Sequence, residues 1–106
     1  MSLVDENTAI LMKFVAEGKD LSHVRLIDFS HLFPDLVSAN RFAAEAEAEG
    51  FKIAVDPSHS PEGTWDVTAS KVMLPSADAI TESEARLSAL AELYQGYADG
   101  WGFLNA

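Results

Sequence analysis

The chain has 106 residues, 48% hydrophobic and 23% charged, the make-up of one folded globular domain spanning 1–106 rather than a disordered segment. It contains no cysteine, which excludes disulfides, thiolate metal sites and cysteine nucleophiles. Seventeen acidic against seven basic residues give a net charge of −10, a field that repels phosphate backbones and disfavours direct nucleic-acid binding while suiting plain solubility or a basic protein partner.

The first residues, MSLVDENT, carry acids where a signal peptide needs bases, and no stretch approaches the ~20 apolar residues of a membrane span, so a cytoplasmic location is expected. Residues 7–17 read as a helix with Ile10, Leu11, Phe14 and Val15 on one face and Gly18 as its stop. HVRLIDF (23–29) is β-branched and aromatic, with apolar residues on both faces, as in a central strand; it is expected to end at HLFPD, ahead of Pro34. Pro34 opens a second helix with Asp35 in its first turn, running to Glu49 and Gly50 along Leu36, Ala39, Ala43 and Ala46, with Val37 and Phe42 beside them.

Phe51–Val55 alternates with Phe51, Ile53 and Val55 inward, PSHSPEG (57–63) reads as a loop, and Trp65–Ala69 alternates again, which predicts a long-looped hairpin. ITESEA (80–85) predicts the start of a third helix through a Thr81/Glu84 capping box and an Ile80/Ala85 staple. Leu87, Leu90, Ala91 and Tyr94 form its buried stripe, and Gly96 its end. A last strand carries Trp101 and Phe103 on one face.

This order, α-βαββαβ, predicts an α+β fold: a ferredoxin-like βαββαβ sandwich with a four-stranded antiparallel sheet, its last strand an edge beside the first, and an extra N-terminal helix. That helix is expected at an end of the sheet or on its open face.

Chemistry is sparse. His23, His31 and His59 are the only side chains of a type expected to offer acid–base chemistry near neutral pH, but none lies three or four residues from another, so no metal site is expected. His59, near Asp56 and Glu62 and flanked by Ser58 and Ser60, has no glycine-bracketed nucleophile elbow, and Gly63 alone makes no phosphate loop. Glu45, Glu47 and Glu49 crowd one helix end without the opposed environments that separate carboxyl pKa values. Catalytic, cofactor and metal residues are therefore expected to be none. The two long helices hold Asp35, Glu45, Glu47, Glu49, Asp78, Glu82, Glu84 and Glu92 against Arg41 and Arg86, which is either a solvated helix layer or a docking surface for a basic segment.

AEGKD (16–20), EGF (49–51), the hairpin and above all LAELYQGYADGWG (90–102), with its DGWG motif at Asp99, Gly100, Trp101 and Gly102, resemble the regulator of ribonuclease E activity B (RraB-like) family. The sequence departs from that family's pattern in two places. Its familiar members carry a long acidic C-terminal tail, whereas this sequence stops at Ala106, and FSHLF (29–33) has one histidine where a histidine-rich turn is usual. In DGWG, Asp99-Gly100 is expected to make the bend out of the helix, Trp101 to anchor in the core, and Gly102 to admit a close neighbour.

The resemblance implies a non-catalytic protein-binding module acting on RNA processing or decay through a basic protein segment, such as one of a ribonuclease E-type enzyme. Glu45, Glu47, Glu49, Glu82 and Glu84 are the candidate contacts. The alternatives are a small ligand-binding or enzymatic domain using the open sheet face with His31 or His59, and a homodimer through that face.

Overall fold

The computed structural model describes residues 3–18, 21–59 and 62–103. Three helices and four strands follow one another as α1 (Leu3–Ala16), β1 (Arg25–Phe33), α2 (Leu36–Ala48), β2 (Lys52–His59), β3 (Glu62–Met73), α3 (Ala77–Leu93) and β4 (Tyr97–Phe103). The sheet is antiparallel throughout with order β2-β3-β1-β4, so the last strand is an edge beside β1.

Alternation along the strands sends Ile27, Phe29, His31 and Phe33 of β1, Val67 and Ala69 of β3, and Trp101 and Phe103 of β4 to the helix side. Ala39, Phe42 and Ala46 of α2 and Ile80, Leu87, Leu90 and Ala91 of α3 close that core. Burying the Ile, Leu, Val and Phe side chains among them stabilises by ~1.5–3 kcal/mol each.

Several local expectations are revised. β1 continues through His31, Leu32 and Phe33 instead of ending at Phe29, because the proline restricts Phe33 to extended geometry without ending the pairing. The hairpin absorbs most of the expected 57–63 loop. Pro57 pairs in register with Trp65, tolerated because β2 is an edge strand, and Ser60 and Pro61 lie outside the described residues. Asp35 is the N-cap of α2, not a first-turn residue; its carboxylate accepts the Ser38 N–H at 2.8 Å. Leu36 and Val37 are exposed and Phe42 fully buried, so the stripe turns away from the expected one. The N-cap of α3 is Ser76, which accepts from Ala79 N–H at 3.1 Å, so Thr81 and Glu84 sit inside the helix and form no capping box.

The N-terminal helix lies neither at the sheet end nor on the open face. It packs beside α3 on the helix side, above β4, with Phe14 against Phe103 (ring centroids 4.8 Å) and Trp101 (6.2 Å). Its inward line is Asn7, Leu11 and Phe14, spaced i, i+4, i+7, and Ile10 and Val15 are exposed.

Candidate functional site

The turn from α3 into β4 shows why the chain is glycine-rich here. Gln95 takes the left-handed position (φ 64°), so Gly96 is not the residue that turns the chain out of the helix. Gly96 is required for space: a Cβ there would overlap the Phe33 ring. In β4, Ser30 pairs with Gly100 and His31 with Ala98, which leaves Asp99 as the extra residue of a β-bulge, and Gly100 adopts φ 115° to make it.

Trp101 turns to the helix side, half-buried, packing edge-on against Phe103 and Phe14. Its indole N–H donates to Asn7 Oδ1 at 2.9 Å. Gly102 meets nothing within 4 Å of a Cβ built on it, so among the described residues the expected close neighbour is not there.

Among the described residues, the sheet's other side carries no helix. Register places four cross-strand rows on it: Asp56–Asp66–Leu32–Tyr97, Ala54–Thr68–Ser30–Gly100, Lys52–Ser70–Asp28–Gly102 and Val72–Leu26. Apart from Lys52 at the β2 edge, the two middle rows are small side chains and bare backbone. Ser70 Oγ donates to Asp28 Oδ1 within them. In the first row Asp66 Oδ1 is buried without a hydrogen-bond partner. Partial burial, then the nearby Asp99 and Asp56 carboxylates, raise its pKa.

The acidic helix residues do not form one patch. Glu45 sits on the α3 side of α2, with the Tyr94 hydroxyl 3.5 Å away, while Glu47 borders a depression beside β2 that Phe51 and Lys52 also line. Glu49 is clamped by Arg86, whose Nε lies 2.9 Å from both carboxylate oxygens, and that hydrogen bonding holds its pKa below the usual carboxylate range. Glu84 accepts from Asn7 Nδ2 at 3.0 Å. Glu45, Glu47 and Glu82 are exposed, whereas Glu49 and Glu84 are half-buried and engaged.

His31 is 1% exposed, packed on Phe42 with ring centroids 5.0 Å apart. Neither ring nitrogen has a hydrogen-bond partner; the Phe29 carbonyl favours the protonated ring slightly without reaching hydrogen-bond geometry. Burial dominates and lowers its pKa to about 4, so it is a neutral core residue at physiological pH. It faces the helices, which removes it from any chemistry on the open face. The side chain of His59 lies outside the described residues, and His23 is exposed ahead of β1. Among the described residues no group of three or more His, Asp or Glu side chains is arranged to hold a metal, and no helix is long and apolar enough to cross a membrane.

One helix-covered face, one bare face and a glycine-built edge strand define an α+β domain that offers surfaces rather than a deep cleft. The family model described as regulator of ribonuclease activity B matches residues 4–103, nearly the whole chain, and the protein belongs to that family. No curated protein matches the chain.

Proposed function

We propose that this protein is a non-catalytic regulator of a ribonuclease E-type enzyme, acting on RNA processing or decay by binding a basic segment of that protein in the cytoplasm. The observation that carries the reading is the family match over residues 4–103. The net charge of −10 supports the nature of the partner, because such a field draws a basic segment and speeds encounter. Glu45, Glu47 and Glu82 contribute to that field from exposed positions; Glu49 and Glu84 serve the fold first.

The strand order β2-β3-β1-β4 supports a ferredoxin-like reading of the unit from β1 to β4, with α1 as an addition that seals β4. The test is titration of the purified protein into purified ribonuclease E while cleavage of a labelled RNA is followed. Association and slowed cleavage are expected. No association at low salt, or RNA cleavage by the protein itself, would overturn the reading.

A further inference from the structure

The bare sheet face is chemically polarised along its strands. At one end stand Asp56 and Asp66, in a row that also holds the buried Leu32 and the exposed Tyr97, with Asp99 close enough to raise the Asp66 pKa and one Asp66 oxygen buried and unpartnered. At the other end Leu26 and Val72 pair across β1 and β3, adjoined by Val24 and Leu74 one residue beyond the paired strands. Val24, Val72 and Leu74 are 65%, 59% and 50% exposed. A depression of about 610 Å³ at the β2 edge adjoins this end, lined by Leu26, Ser70 and Val72 together with Phe51 and the charged Glu47, Lys52 and Lys71. From Asp66 to Val72 is six residues of β3, about 20 Å.

Between the two ends the floor is low. Ala54, Thr68, Ser30, Ser70 and Asp28 are small, β4 contributes only Gly100 and Gly102, and the one long side chain of these rows, Lys52, stands at the β2 edge. Gly100 is fixed by its φ of 115°, but Gly102 is not forced by its conformation, and a side chain there would meet open space. A glycine inside a strand costs ~0.5–1 kcal/mol relative to alanine, and no packing among the described residues offsets that at position 102.

A second copy of the chain fits this face poorly. A two-fold axis along the strands sets the Asp56/Asp66 row against its own copy, and one across the strands sets that row against Leu26 and Val72. The first arrangement opposes like charges and the second desolvates carboxylates against apolar groups. Phosphate-bearing ligands are repelled by the same acids.

We propose that the open face docks one protein segment, cationic at one end and apolar at the other, lying along β1 and β3. Its Lys or Arg side chains stand over Asp56, Asp66 and Asp99, and its apolar side chains cover Leu26, Val72 and Leu74. This rests on the reading of the partner as basic. It adds where the partner is held: the dispersed acidic field steers the encounter, and the open face retains the partner through short-range contact.

The probe is a fluorescent peptide of about twelve residues with three arginines at one end and three leucines at the other. A control peptide has the same composition with the two residue types interleaved. Amide shifts at Ser30, Thr68, Ser70, Gly100 and Gly102 are expected on binding the first peptide, with the control about tenfold weaker. Gly102→Leu fills the floor and is expected to weaken binding about tenfold with the melting temperature unchanged. Shifts confined to α2 and α3, equal affinity for both peptides, or undiminished binding by Gly102→Leu would overturn the proposal. If those results come while ribonuclease E still binds the parent, the docking face is wrong and the proposed function stands. If the peptide binds as expected and ribonuclease E does not, the reverse holds.

Discussion

Asn7 Oδ1 accepts the Trp101 indole N–H at 2.9 Å across 94 residues of chain, and the same amide donates to Thr81 Oγ1 at 2.9 Å and Glu84 Oε1 at 3.0 Å. Since an indole nitrogen only donates, the amide orientation is fixed by its partners. One side chain, 2% exposed, thereby joins α1, α3 and β4. Asn7→Ala removes all three bonds and leaves the half-buried indole N–H unpaired, at a cost of ~1–3 kcal/mol in urea or thermal unfolding. A stability unchanged within error would show that α1 is not held by this amide.

Trp101→Ala loses the edge-on packing with Phe14 and Phe103 as well as the bond to Asn7. A loss of ~3 kcal/mol is expected, at the lower end for removing a tryptophan because the ring is half-buried. Trp101→Phe keeps most of the packing and is expected to cost less than half as much. Equal losses for the two variants would assign the effect to the hydrogen bond instead.

Gly96 and Gly102 make opposite predictions. Gly96→Ala drives a methyl into Phe33, itself 1% exposed and packed on Phe42, and is expected to destabilise by ~1–3 kcal/mol. Gly102→Ala meets open space and is expected to leave the melt unchanged or slightly raised. If the order is reversed, the account of the α3–β4 turn is wrong.

His31 makes stability depend on pH. The unfolded ring takes a proton near the ordinary pKa of 6.5, whereas the folded ring, with its pKa lowered to about 4, resists it. Its neutral form is therefore tolerated in full above pH 6.5, and stability falls as pH drops from 6.5 toward 4, by up to roughly 3 kcal/mol at ~1.4 kcal/mol per unit. Asp66, with a raised pKa, acts in the opposite sense: its protonated form is favoured in the fold, and that preference is lost as pH rises through its folded pKa. Comparing His31→Leu with the parent isolates the histidine. The variant is expected to lose most of the dependence between pH 4 and 6.5, and an unchanged dependence would remove His31 as its source.

The core faces were legible in the sequence wherever alternation was unbroken, as at Ile27/Phe29 and Trp101/Phe103, because period-two patterning and burial on one face are the same fact. Helix starts were ambiguous. Thr81 reads as the cap of α3, whereas Ser76 caps it by accepting the Ala79 N–H, and Ile80, 0% exposed, is already inside the helix. Asn7 gave no signal in its own segment, since its three partners lie 74 or more residues away. The candidate acids were visible as a count of charges. Which of them are engaged, as Glu49 is by Arg86, depends on α2 and α3 lying side by side, which local pattern does not encode.

Charge-steered binding of this protein to a basic segment is read most plainly from its association rate with purified ribonuclease E at increasing salt. Screening shortens the reach of charge from ~10 Å at 0.1 M to ~3 Å at 1 M. The association rate is expected to fall steeply over that range, with dissociation changing less, and the combined Glu45→Lys, Glu47→Lys and Glu82→Lys variant is expected to start slower and depend less on salt. An association rate indifferent to both salt and the three reversals would contradict the account.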